Sequence, residues 1–141
     1  MGLDEEIIEQ LKAKLGALYK GEYWKRKKRL YVNIDSKGIV DATRLLIEKY
    51  GARLCAISVV EGSMDLDLIY HFALDHLEKN LHIHLKPTVP RDNPEIDSIT
   101  PYTLQANWTE REIMELVGIK FRNHPDPRHI FLPYEWPEEP K

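Results

Sequence analysis

The chain has a single cysteine, Cys55, which excludes a disulfide framework and an internal set of thiolates for an iron–sulfur cluster. No apolar run approaches the ~20 residues that cross a bilayer. The start lacks the pattern of a secretory leader, so membrane association is expected only through a partner. There is no glycine-rich phosphate loop, no nucleophile elbow, no internal repeat, and no low-complexity tract before the proline-rich end. Positive charge does not dominate either: the formal net charge of -3 argues against general nucleic-acid binding by the chain as a whole. Glutamine is scarce beside abundant lysine and glutamate, a balance that suggests a thermophile.

What is present describes one globular domain, long enough to bury roughly two-thirds of its unfolded surface. Asp4 to Leu18 carries Ile7, Ile8, Leu11, Leu15 and Leu18 at helical spacing, with Asp4 as cap and Gly21 near the stop. It reads as a surface helix with one buried stripe; a partner-docking helix is the alternative. Lys20 to Arg29 interleaves six basic residues with Tyr23 and Trp24. A solvated edge is the plainer reading, beside contact with an acidic protein or lipid headgroup, or a nucleic-acid module.

Leu30 to Ile34 alternates as a strand, and Ile39 to Tyr50 reads as a helix with Val40, Leu45, Leu46 and Ile47 in its apolar set and Gly51 at its stop. Arg53 to Val60 is a continuous apolar run, predicted as a central strand. Asp65 to Leu74 alternates cleanly, with Leu66, Leu68, Tyr70, Phe72 and Leu74 on one face, and Leu81, Ile83 and Leu85 make another inward face. These elements predict an α/β (α+β) fold: a mostly antiparallel sheet of about four strands with helices packed on one side. Pro87 to Pro94 reads as a loop, and Ser98 as the cap of a short helical turn.

Candidate chemistry is sparse. His82 and His84 share a strand face, and a hairpin could bring His71 opposite them, which would suit zinc in a small His-based metalloprotein. No carboxylate or thiol is fixed nearby, and alternation makes theirs the solvent face. Glu112 and His124 could form an acid/base pair, although a cap and a turn explain them more simply. Cys55, in an apolar strand, is expected to be buried and unreactive. The residues therefore show no catalytic, cofactor-binding or metal site.

The most specified stretch is Asn107 to Phe131. Thr109 and Glu112 have capping-box spacing, Trp108 and Ile113 that of a hydrophobic staple. Glu110 and Glu112 suit the positive end of a helix dipole. Ile113, Leu116 and Val117 form a stripe, and Gly118 is the expected left-handed stop. Pro125, Pro127, Pro133, Pro137 and Pro140 then forbid helix and central strand, yet Phe121, Ile130, Phe131, Leu132, Tyr134 and Trp136 are too much apolar surface to leave wet. Residues 1–118 are expected to form the domain and 119–141 an extended, partner-docking arm. Arg111 and Arg128 suit carboxylates, as internal braces or as partner contacts.

The run Glu110-Arg111-Glu112, Glu115, Gly118-Ile119, Phe121, His124-Pro125, Arg128 and Ile130-Phe131 resembles the signature of the 30 kDa subunit of respiratory complex I, the NADH:quinone oxidoreductase (NADH dehydrogenase). That family includes the equivalent subunit of energy-converting membrane-bound [NiFe] hydrogenases. Ser98-Ile99-Thr100 and Ala106-Asn107-Trp108 also resemble it. Glu115, Pro127 and His129 depart from the family's usual Asp, Leu and Arg. The ending Phe131 to Pro137 is similar to endings of hydrogenase-associated members.

The resemblance implies a non-catalytic, cofactor-free subunit of the hydrophilic arm of a membrane-bound oxidoreductase, on the cytoplasmic side. Its implied partners are the large hydrogenase-like (49 kDa-type) subunit and the small iron–sulfur subunit, with no nucleic acid. The expected interface comprises Trp108, Glu110, Arg111, Glu112, Phe121, His124, Pro125, Arg128, Ile130, Phe131 and Trp136.

Overall fold

The computed structural model describes residues 2–125. Its centre is a five-stranded sheet made of β1 (Tyr19–Arg26), β2 (Arg29–Asp35), β3 (Arg53–Glu61), β4 (Asp65–Ala73) and β5 (His82–Pro90), in the order β1-β2-β5-β4-β3. Helix α1 (Leu3–Leu15) precedes the sheet, and α2 (Ile39–Arg44), widening into a π turn over Leu45–Lys49, links β2 to β3. A two-stranded parallel ribbon, β6 (Glu95–Asp97) with β7 (Lys120–Arg122), encloses α3 (Ala106–Leu116) in the sequence between them.

Alternation decides which face is the core. Leu66, Leu68, Tyr70 and Phe72 of β4 are buried together with Leu30, Val32 and Ile34 of β2 and Ile83, Leu85 and Val89 of β5. Helical residues close this layer: Ile7, Ile8, Leu11 and Leu15 from α1, Ile39, Ala42 and Leu46 from the α2 segment, Ala106 and Ile113 from α3. Helices on one side of a mostly antiparallel sheet match the predicted fold class.

Several elements depart from expectation. The sheet gains β1, an edge strand formed by the basic cluster. Tyr19, Tyr23 and Trp24 favour extended backbone, and lysines on an edge discourage pairing with other chains. The chain leaves β2 for the far side and meanders back through β3 and β4, so β5 lands beside β2 and pairs with it in parallel. Arg53 to Glu61 is consequently the opposite edge strand, not a central one, and Cys55 on it is exposed, not buried. Helix α1 stops at Gly16, whose φ of 57° breaks the helical path, five residues before Gly21. No side chain caps its start; Asp4 Oδ1 accepts instead from the adjacent Glu5 N–H at 2.9 Å. Gly51 (φ 65°) and Gly118 (φ 87°) end their helices as expected.

The strand order makes unequal demands on two apolar residues. Leu85→Ala on central β5 should cost about 2–5 kcal/mol by transfer and cavity terms, whereas Val60→Thr on the β3 edge should stay within about 0.5 kcal/mol. Urea denaturation of the two variants distinguishes this order from one with β3 inside.

Candidate functional site: a helix braced from within

The β6–β7 ribbon sets the scaffold of the site. Arg122 donates from Nε to Asp97 Oδ1 at 2.8 Å and lies 3.5 Å from Glu95. Ser98 N–H donates to Arg122 O at 2.8 Å, and Lys120 N–H to Pro94 O at 2.9 Å. Between the two strands the chain turns at Ser98, Ile99 and Thr100, and enters α3 through turns at Ile99 and Thr103.

Glu110 then points inward from α3 and is fully buried. Its carboxylate accepts from Ser98 Oγ at 2.5 Å, Thr100 Oγ1 at 2.6 Å and Ile99 N–H at 2.9 Å. The buried His124 imidazole stands 3.7 Å from the same carboxylate. Burial raises the Glu110 pKa; the two hydroxyls, the Ile99 N–H and His124 pull it back without cancelling the rise. Tyr70, fully buried in β4, has its phenol pushed well up by burial and then by the charge of Glu110. A buried carboxyl is tolerated only with its donors in place, so Glu110 fixes the 98–100 turn, α3 and the chain at His124 relative to one another.

This geometry corrects the capping reading. Helix α3 begins at Ala106 after Gln105, with no side-chain cap, so Thr109, Glu110 and Glu112 lie inside the helix rather than at its start. Trp108 cannot staple from outside a helix that already contains it. His124 meets Glu110 instead of Glu112, which removes the acid/base pairing that the sequence allows.

The outer side of the same unit carries exposed apolar side chains among charged ones. Tyr102, Leu104, Trp108 and Leu116 are 40%, 82%, 55% and 71% exposed. Arg111, Glu112 and Glu115 are half-buried along the helix, and Pro125 is exposed. Of the expected interface residues, Trp108, Arg111, Glu112 and Pro125 are thus available to this outer surface. Glu110, Phe121 and the His124 side chain are inside the domain and can shape that surface without forming it. Arg128, Ile130, Phe131 and Trp136 lie outside the described residues. Sequence reasoning misses Ser98 and Thr100 as partners of Glu110. A Ser-x-Thr turn a dozen residues before a helical glutamate is the signal that could have found them.

The histidines form a second polar cluster on the other face of the sheet. His71 and His84 are register partners, and their Nδ1 atoms are 2.7 Å apart. Ser58 Oγ is 2.9 Å from His71 Nε2. Contrary to the solvent-face expectation, His84 is only 5% exposed, because it stacks on Tyr31 at 4.2 Å. Two nitrogens on one tetrahedral zinc would stand roughly 3.3 Å apart; the 2.7 Å separation is instead that of a hydrogen bond in which the tautomers decide which ring donates. Burial drives the pKa of His84 down to about 4, helped by His71, His82, Arg29 and Lys25. Burial also lowers His71 and His82.

Comparison with known proteins agrees with the motif. Residues 32–141 match the family model described as respiratory-chain NADH dehydrogenase, 30 Kd subunit. The C component of the F(420)H(2) dehydrogenase of Methanosarcina mazei is 42% identical over 91 residues, covering 60% of this chain and 56% of the relative. The C/D component of the NADH-quinone oxidoreductase of Methylococcus capsulatus is 37% identical over 73 residues, covering 52% of this chain and 12% of the relative. The chain therefore spans just over half of the first relative's length and a small part of the second's. A polypeptide in the structure of the membrane-bound sulfane sulfur reductase, an archaeal respiratory membrane complex, shares the fold with a TM-score of 0.73 at 21% identity, over 87% of this chain and 72% of that one. The chain belongs to the 30 kDa subunit family of respiratory-chain NADH dehydrogenases. Among the described residues no helix is long and apolar enough to cross a membrane.

The two clusters respond differently to mutation and to acid. Glu110→Ala strands two hydroxyls and an amide in the interior and should cost about 3–5 kcal/mol in urea denaturation. Glu110→Gln keeps an acceptor oxygen and should cost less. The histidine cluster sets an acid limit. Its folded-state pKa values are depressed below the ordinary 6.5, so below pH 6.5 the unfolded chain binds protons that the native chain refuses. Stability should fall as pH drops from 6.5 toward about 4; the raised Glu110 pKa acts in the opposite direction. His84→Phe, which keeps the stack on Tyr31, should flatten the pH dependence of the urea midpoint.

Proposed function

We propose that this chain is a non-catalytic, cofactor-free subunit in the hydrophilic arm of a membrane-bound complex I-like oxidoreductase, of the NADH dehydrogenase or energy-converting [NiFe] hydrogenase type. It docks on the large hydrogenase-like (49 kDa-type) subunit, near the small iron–sulfur subunit, and is peripheral on the cytoplasmic side of the membrane. On this reading residues 1–118 form the domain and 119–141 a partner-docking arm, of which residues 126–141 lie outside the described residues.

The observation that carries this reading is the exposure of Leu104, in the turn before α3, and of Trp108 and Leu116 on α3, a helix that Glu110 pins from behind. A wet apolar row on a rigid support is the anatomy of an interface core. Two features support the choice of partner. The matching segment of the Methylococcus relative occupies 12% of a polypeptide whose name joins the letters C and D, and a fused neighbour is a natural docking partner. Membership of the 30 kDa subunit family favours electron transfer and ion translocation as properties of the assembly as a whole. The contribution of this chain is positional: a displacement of about an ångström at a catalytic centre can cost ~100-fold in rate.

Charge placed on the row should break the assembly and spare the fold. Leu104→Asp with Leu116→Asp should leave the unfolding free energy of the purified chain, read from urea denaturation, within about 0.5 kcal/mol per site. The same pair should weaken docking by about 2 kcal/mol or more, roughly thirtyfold, seen as loss of the chain from the purified membrane complex. Full retention of the double variant in an active complex would sink the proposal.

A further inference from the structure

The face of the sheet turned away from the helices carries one cross-strand row. Tyr23 on β1, Tyr31 on β2 and His84 on β5 are successive register partners. Their rings touch, with centroids 5.2 Å apart for Tyr23–Tyr31 and 4.2 Å for Tyr31–His84. Cations sit over this row: Lys25 Nζ lies 5.5 Å from the Tyr31 ring, and Lys86 Nζ lies 5.6 Å from the Tyr23 ring. Arg29, the register partner of His82, adds a third at the row's edge.

Among the described residues Lys25, Arg29 and Lys86 form no ion pair, and Lys86 Nζ donates only to the neutral Tyr23 hydroxyl, at 3.2 Å. Arg29 and Lys25 are among the groups that keep His84 neutral. Like charges gathered on adjacent strands disfavour the folded state by themselves, in a chain whose net charge is -3. A countercharge from outside would relieve the repulsion.

We infer that this face binds an acidic, extended segment of a neighbouring protein subunit, with its carboxylates against Lys25, Arg29 and Lys86 and its side chains resting on the Tyr23–Tyr31–His84 row. The inference rests on the reading of the chain as a subunit, but it concerns a second surface, on the other side of the sheet from α3. Protein is favoured over a single nucleic-acid strand by the far half of the same face. There Asp35 is the register partner of Thr88, and Thr88 Oγ1 donates to Asp67 at 2.5 Å. Regularly spaced phosphates would run onto these acids, whereas a polypeptide can space its carboxylates to avoid them.

Lysine acylation read by mass spectrometry tests the inference on the native membrane complex and on the purified full chain. Lys25 and Lys86 should react several-fold more slowly in the complex, and a carbodiimide should join one of them to an Asp or Glu of another polypeptide. The Lys25→Glu/Lys86→Glu double variant should keep its circular dichroism and lose that cross-link. Unchanged lysine rates together with a shielded Trp108 would overturn the inference and leave the docking of α3 standing; unchanged rates with an unshielded Trp108 would overturn both. Protection that vanishes on nuclease treatment or delipidation would identify a nucleic acid or a lipid headgroup and equally overturn it.

Discussion

A carboxylate with no access to water holds the carboxyl-terminal part of this domain together. Glu110 receives two hydroxyls and one backbone amide from three consecutive residues, Ser98, Ile99 and Thr100, and faces the imidazole of His124. Removing a carboxyl from water costs several kcal/mol unless its lone pairs are filled, so the donors and the acceptor must assemble together. The β6–β7 ribbon makes that possible by bringing residue 98 beside residue 122. From there causation runs outward: the ribbon sets the turn, the turn sets the inward side of α3, and the inward side determines that Trp108 and Leu116 face out. Phe121, attractive as a partner contact from composition, is instead part of the core that steadies this unit.

The sheet separates two kinds of surface chemistry. Its inner face is apolar, with Tyr70 and Phe72 among the aliphatic side chains, and is shut beneath three helical segments. Its outer face is aromatic and basic, with imidazoles kept neutral by burial and by neighbouring cations. Among the described residues, neither face presents converging groups that would need a substrate to explain them.

Period-two patterning makes β4 and the inner face of β5 readable from the sequence alone, and the positive-φ stops at Gly51 and Gly118 are readable from local chain chemistry. The family is readable as well, because a dense motif survives without any knowledge of contacts. What cannot be read depends on distant residues. The apolar run at Arg53 to Val60 resembles a central strand, but strand order is decided by where β5 returns, and that leaves Cys55 exposed. Thr109 and Glu112 satisfy a capping pattern by spacing alone. Only the hydroxyls of Ser98 and Thr100, far back along the chain, turn Glu110 inward and reveal a helix already under way. Alternation places His84 in solvent, yet it is covered because Tyr31, on a strand paired in parallel, lies flat against it.

The most direct test is hydroxyl-radical footprinting of this chain, free and in the purified membrane complex, read at Trp108 and Leu116. Ready oxidation of both in the free chain and strong protection of both in the complex is the result expected of a docking helix held from within. Equal oxidation in the two states would mean that nothing covers α3, and the account of the chain as a subunit docked through this helix would be wrong.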